Sequence, residues 1–456
     1  MNTAIDQIIK LNERLGLRVT SFLSSLIFSS AFIYWILRPA LSLQYLGYFF
    51  IVAVSLAAML SISQKPAVEK PNKMILLCLL LLGFFYFVAA VRFRETGKLY
   101  RSLSFAVFVP LIMYLLSGKD SRARFIDAFA NGSIVGLIFL SVASAFKAPI
   151  FDTQYSSILL NPNYLAATVS VFYVCLIYKL FTSLFSLSKP RVAMLSVCIG
   201  ISLTLIILSE SRTGLLCVAA SSIAALIVQI SGSKRKNKIR KLFKYLIAVA
   251  LISIIVIPCY HKTISFVSSK IITFDADKTG QASFFTMESY ETVDAEDLGK
   301  NKNSDATFSE SLHSAIKRSG KGIDEDTTDI STGRFGIWKS CIDSLNLRGH
   351  SDSEKFYAPY RDAYINDTHN MFLAVGFGAG YPAMIALIAY MICCFMLYFR
   401  TMRSFLRVGK FDRAAFFFLV FSPVFFIEGM LSDSFLPTLS IVGVPFWFNV
   451  PLSREY

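Results

Sequence analysis

The sequence predicts an all-α polytopic membrane protein of about twelve transmembrane helices, with one long loop between helices 9 and 10. Three observations predict it. Hydrophobic residues make up 55% of the chain and charged residues only 16%, where soluble domains carry roughly 25% charged residues. Apolar runs of about 17–22 residues recur along the chain, each long enough to cross a bilayer core. Lys and Arg gather in alternate connecting segments, as expected of loops that orient a membrane protein. Mean hydropathy is correspondingly high, at +0.57.

In order, the expected spans are 20–37, 45–63, 74–91, 100–117, 125–146, 163–185, 192–209, 213–230, 243–260, 371–399, 413–431 and 435–450. The segment Met1–Val19 is polar and basic, and Arg38-Pro39 follows the first apolar run with no small-residue cleavage site. The first run is therefore read as a retained helix and not a removable signal peptide. Pro110 falls in the fourth span, and Pro437 and Pro445 in the last. Spanning helices tolerate proline where neighbours satisfy the freed carbonyls. Three regions follow: helices 1–9 over 1–260, a large loop over 261–370, and helices 10–12 over 371–456.

Loop charges set the expected orientation. Lys10/Arg14/Arg18, Lys65/Lys70/Lys73, Lys119/Arg122/Arg124, Lys189/Arg191, Lys234–Lys244 and Arg400/Arg403/Arg407/Lys410 all fall on one side. The positive-inside rule makes that side cytoplasmic, with both termini on it. The net charge of +15 is thus topological, and no nucleic-acid partner is expected. The opposite face carries the long segment Lys262–Thr368, which holds 18 of the 30 acidic residues and is net negative. Its part from about 275 to 330 is polar, acidic and without periodicity, and is expected to be flexible. From Arg334 to Leu345, Phe335, Ile337, Trp338, Ile342 and Leu345 recur at helical spacing and predict an amphipathic helix on the bundle. Six of the eight cysteines lie in apolar runs as packing residues. Only Cys259 and Cys341 could meet outside the membrane.

Polar clusters open three spans on that outer face: Asn161-Pro162-Asn163, Ser211-Arg212-Thr213-Gly214 and Asp367-Thr368-His369-Asn370. Free N–H groups and the dipole make helix N-termini suited to anions. Asn, Ser, Asp and Thr are also ordinary N-caps, but capping requires neither Arg212 nor His369. A cation at a helix N-terminus opposes the dipole, so Arg212 calls for a negative partner: Glu210 or a bound anion. A histidine in the first turn of a helix is expected to be held neutral by the dipole, fit to act as a general base, with Asp367 near enough to orient it. Arg334 could reach over the bundle mouth to clamp a phosphate. Arg92, Arg94, Lys98 and Arg101 form a further basic cluster on this face, open to snorkelling or to function. The chain has no P-loop, dinucleotide fingerprint, zinc-ligand spacing or Gly-x-Ser-x-Gly elbow. No cofactor and no metal are expected.

The motifs Asn161-Pro162-Asn163-Tyr164-Leu165-Ala166, Ser211-Arg212-Thr213-Gly214-Leu215-Leu216, Gly333-Arg334-Phe335-Gly336-Ile337-Trp338 and His369-Asn370-Met371-Phe372-Leu373, with Gly376, Gly378 and Gly380 following, come in order over residues 160–400. Together with the long loop before the His-Asn pair, they resemble the bacterial O-antigen ligase and polymerase superfamily. The resemblance implies a metal-independent glycosyltransferase of the bacterial inner membrane. Its donor would be an undecaprenyl-diphosphate-linked glycan, used at the periplasmic face. The acceptor would be lipid A-core for a ligase, or a second lipid-linked glycan for an O-antigen, capsule or exopolysaccharide polymerase. It further implies that Arg212 and Arg334 hold the diphosphate and that His369 deprotonates the acceptor, with Asn161, Asn163, Ser211, Asp367, Asn370, Arg92 and Arg94 in support. The Arg, Arg, His set favours the ligase type, and the polymerase stays open beside it. A transporter or flippase is the alternative from another class, but it predicts charged or broken helices near the midplane, and the polar clusters stand at helix ends instead.

Overall fold

The computed structural model describes residues 2–41, 46–66, 72–147, 155–159, 161–182, 188–231, 236–279, 281–285, 290–294, 334–358, 363–366, 368–408, 412–431 and 443–450. These residues form a helical bundle: α1 (Asn2–Leu15), α2 (Leu17–Leu41), α3 (Leu46–Ser61), α4 (Lys73–Phe93), α5 (Thr96–Leu115), α6 (Lys119–Lys147), α7 (Pro162–Thr182), α8 (Lys189–Leu208), α9 (Arg212–Ser231) and α10 (Lys236–Thr279). After the paired strands β1 (Gln281–Phe285) and β2 (Tyr290–Asp294) come α11 (Arg334–Ser344), β3 (Phe356–Ala358), β4 (Ala363–Ile365), α12 (Met371–Ala379), α13 (Tyr381–Val408), α14 (Arg413–Leu431) and α15 (Val444–Asn449). Both strand pairs are antiparallel.

Among the described residues, ten helices are long and apolar enough to cross a membrane. The protein is therefore an all-α polytopic membrane protein. Of the twelve expected spans, the second is the shorter apolar helix Ile51–Ser61 within α3. Half of the twelfth, 435–442, lies outside the described residues, which resume there at 443. The span expected at 371–399 is two helices. Gly380, with φ +89°, ends α12, and Pro382 lies in the first turn of α13, where a missing N–H costs nothing. In α5 a π-turn at Ser104–Phe108 ends two residues before Pro110, the local adjustment a spanning helix makes where a donor is lost. The helix expected to end at 260 continues to Thr279 as α10. Of the stretch expected to be flexible, 275–279 belongs to α10, 281–285 and 290–294 are paired, and 295–330 lies outside the described residues.

The bundle buries aromatic rings where helices cross. Phe28 and Phe32 of α2 meet Phe129 of α6 edge-on, each pair at 5.2 Å. At one end of the bundle, Asp127 of α6 joins Lys179 of α7 at 2.7 Å and Arg413 of α14 at 3.3 Å. These residues lie near the start of α6, the end of α7 and the start of α14. The opposite end therefore holds the start of α7 and the end of α14, and the polar clusters meet there.

Candidate active site

Each helix end at this face is built by a local side-chain cap. Asn161 Oδ1 accepts from the N–H groups of Asn163 (2.8 Å) and Tyr164 (3.4 Å) to open α7. The Asn163 side chain is exposed. Ser211 Oγ accepts from Gly214 N (3.3 Å) to open α9, and Ser209 Oγ accepts from Ser211 N (3.4 Å). Asn370 Oδ1 accepts from Phe372 N (2.9 Å) and Leu373 N (3.2 Å) to open α12. The Asn370 amide also donates to the Met430 carbonyl at 3.0 Å. It thereby caps the end of α14 and the start of α12 at once.

These ends are packed together. A Cβ on Gly214 would stand 3.0 Å from the Ala166 Cβ, so α9 and α7 approach closely beside their starts. A Cβ on Gly429 would stand 3.0 Å from Met371 Cε, which seats α14 against α12. Cys217, five residues into α9 from Arg212, lies 3.7 Å by its Sγ from Glu428 Oε1 of α14. Glu428 is buried, 3% exposed, and the Arg334 guanidinium at the start of α11 attracts it electrostatically. A buried carboxylate near the end of a spanning helix is costly unless a cation offsets it. Glu428, the first turns of α9 and the His369-Asn370 turn are thus linked by contacts, and Arg334 acts on Glu428 electrostatically. Arg212, Arg334 and His369 are each half-buried. Asp367 lies outside the described residues.

The backbone is strained at the same face. Four non-glycine residues among those described have positive φ: Arg94 (57°), Ser157 (55°), Glu210 (51°) and His369 (47°). All four stand in turns at this end of the bundle. Such a conformation costs on the order of 1–3 kcal/mol at each residue and persists only where the surroundings impose it. His369 was expected within the first turn of its helix. It stands instead just before the N-cap Asn370, in the left-handed turn itself. The turn, and not a helical position, sets the direction of its ring.

The arginines at 92 and 94 take a different place. Arg94 is the left-handed C-cap of α4, its N–H bonded to the Ala90 carbonyl. Arg92 lies 5.2 Å from the Phe93 ring centroid and acts electrostatically on Glu354. Beside them Lys98, fully buried, contacts Glu95 at 3.0 Å and Asp352 at 2.6 Å. Glu95 also accepts from the Asp352 N–H at 2.9 Å and from the Ser351 hydroxyl. Burial pushes its pKa up, but the bonds from Ser351, Lys98 and Asp352 prevail and hold Glu95 below its ordinary range. This cluster fastens residues 351–354 to the turn between α4 and α5.

The segment around α11 docks through its own small core of Ile337, Cys341, Phe356, Ala358, Leu373 and Phe377. The docked face of α11 is therefore Ile337 and Cys341, with Trp338 and, just beyond the helix, Leu345 packed against the same core, whereas Phe335 and Ile342 are 60% and 54% exposed. Burial lifts the Cys341 thiol to about 12, and Cys341 and Cys259 are both free.

The sequence motifs mark the three helix starts and Arg334, but nothing local marks Glu428. Its burial against α9 depends on helix packing, which no local pattern records. No curated protein matches the chain. Residues 197–388 match the family model described as O-antigen ligase, a stretch that contains the Arg212 turn, Arg334 and the His369-Asn370 turn. Over residues 197–388 this multi-pass membrane protein is thus similar to the O-antigen ligase family.

Proposed function

We propose that the protein is a glycosyltransferase of the bacterial inner membrane, working at the periplasmic face. It moves a glycan from undecaprenyl diphosphate to an acceptor hydroxyl. The supporting observation is the meeting, at one end of the bundle, of the Arg212 turn and the strained His369 turn through Glu428, Cys217 and Asn370, with Arg334 acting electrostatically on Glu428. In the reaction, His369 takes the proton of the acceptor hydroxyl. The acceptor oxygen bonds to the anomeric carbon, and the bond from that carbon to the phosphate oxygen breaks. Negative charge develops on the departing diphosphate, and Arg212 and Arg334 stabilise it. The ligase type, with lipid A-core as acceptor, is favoured. A repeat-unit polymerase, with a second lipid-linked glycan as acceptor, uses the same chemistry.

Purified protein given a lipid-linked glycan and both acceptors separates these readings. A single shift of lipid A-core indicates a ligase, and a ladder of lipid-linked products indicates a polymerase. Absence of any glycan product, together with flux of the lipid-linked glycan across liposomes, would replace the enzyme with a flippase.

A further inference from the structure

The helices α11 and α12 both begin at the candidate site and run side by side away from it. At their starts, Arg334 attracts Glu428, and the neighbouring Gly429 meets Met371. At their far ends, Leu345 Cδ2 would stand 3.2 Å from a Cβ on Gly376, and the His350 N–H bonds the Phe377 carbonyl at 2.7 Å. Beside these far ends lies an open cleft of about 460 Å³. It is lined by Ser340, Asp343 and Ser344 of α11, by Lys355 and Tyr357, and by the His350 ring stacked on Phe377 at 4.2 Å. None of these residues takes part in the chemistry proposed above.

We infer that this cleft is a saccharide subsite, holding sugar residues of the glycan at a distance from the reacting carbon. The inference rests on the glycosyltransferase reading for the identity of its occupant. Three features carry it. First, the lining combines hydroxyls, a carboxylate and an ammonium, groups that bond sugar hydroxyls in both directions, with an aromatic ring for the sugar's apolar face. Tyr357 is 43% exposed, and its ring meets that of Tyr364, 67% exposed, at 5.4 Å. Two adjoining exposed rings beside a polar cleft make a platform for a ligand with polar edges and an apolar face. Second, the walls are held firm. The His350 ring bridges the Ser344 carbonyl through Nε2 and Glu354 Oε2 through Nδ1, each at 2.7 Å. Glu354 Oε1 accepts from the Ser351 N–H at 3.2 Å, and the Lys98 cluster fastens the same loop to the bundle. Such a site spends little entropy on ordering itself when a ligand binds. Third, the spacing fits a chain. Ser340 and Asp343 are six and nine residues beyond Arg334, roughly 9 and 13 Å along the helix at 1.5 Å per residue. A diphosphate at Arg334 therefore leaves space for a run of sugars before the cleft.

The test uses the full-length protein in nanodiscs and the oligosaccharide released by mild acid from the lipid-linked glycan of the same cells. Saturation-transfer NMR should show wild-type protein binding the oligosaccharide. Tyr357→Ala and Asp343→Asn should weaken binding about tenfold, a loss of roughly 1.4 kcal/mol. Tyr357→Phe, which keeps the ring, should bind as wild type and shows that the fold tolerates change there. In transfer assays the loss should fall on KM and not on kcat. Donors of one or several repeat units with a fixed acceptor, then truncated acceptors with a fixed donor, show whose sugars occupy the cleft: KM responds to Tyr357→Ala only for the longer member of the correct series. Wild-type transfer without oligosaccharide binding, or equal KM for all variants with every donor and acceptor, overturns the subsite while leaving the transferase intact. Oligosaccharide binding by wild type that Tyr357→Ala weakens, in a protein that transfers nothing, keeps the subsite and rejects the transferase.

Discussion

In the proposed reaction His369 and the two arginines divide the labour of one bond exchange, and substitution separates their roles. Arg212→Ala, Arg334→Ala and His369→Ala should each lower transfer by about 100-fold or more, the scale of losing one charge-stabilising group or one positioned base. Protein levels in the membrane should stay normal, and product formation measures the effect. Arg212→Lys and Arg334→Lys keep the charge but lose the planar fork, so they should recover only part of the activity. Asn370 acts structurally. Asn370→Ala removes the cap of α12 and the donor to the Met430 carbonyl, which should cost about 1–2 kcal/mol, read as a lower midpoint of thermal unfolding. It should also lower kcat, because the neighbouring His369 is held in its turn by that cap. At this scale the sequence was informative wherever chemistry is local. Ser211, Asn161 and Asn370 cap the helices that their residue types and positions predict. Glu428 was not legible beside these residues, because Cys217, which it meets through packing, and Arg334, which acts on it electrostatically, are both distant in sequence.

Among the elements, the short helix α12 matters most, because it follows directly on the turn of His369, the proposed base, and ends at a break. Gly380 enforces that break: its φ is +89°, and a Cβ there would come within 2.3 Å of the Leu347 oxygen. Gly380→Ala should therefore destabilise the protein by more than about 1 kcal/mol, visible in the unfolding midpoint, and should loosen the docking of residues 344–349. Hydropathy could not reveal this break, because apolar residues continue across it from Met371 to Phe399. Only the Gly-Tyr-Pro sequence hinted at it. The loop segment 350–354 carries a pH dependence of known sign. The His350 hydrogen bond holds Glu354 below its ordinary value of 4.5, and Glu95 is likewise held low by its bonds to Ser351 and Lys98. A carboxylate with a lowered folded pKa stabilises the docked form above its unfolded value, and that stabilisation is lost as pH falls through the folded value. Amide hydrogen exchange of residues 344–358, corrected for intrinsic rates, should accelerate as pH falls below 4.5.

At the scale of the whole molecule, the bundle is a frame that brings helix ends together. The class of fold was legible because membrane spans obey a length and hydropathy rule that needs no tertiary information. Helix adjacency was not legible. That α7, α9, α12 and α14 gather their polar ends at one face follows from close contacts such as Gly214 on Ala166 and Gly429 on Met371. Strain concentrates at that face too, in the turns of Arg94, Ser157, Glu210 and His369. A protein selected for stability alone would relax such turns. Their clustering beside two arginines and a histidine supports chemistry at that end. The most direct test is a single reaction with purified wild-type and His369→Ala protein in nanodiscs, given the lipid-linked glycan and both acceptors. Glycosylated acceptor and free undecaprenyl diphosphate should appear together and in equal amounts with wild type, and neither with His369→Ala. Equal product from both proteins, or wild type that makes no glycosylated acceptor, would contradict the account.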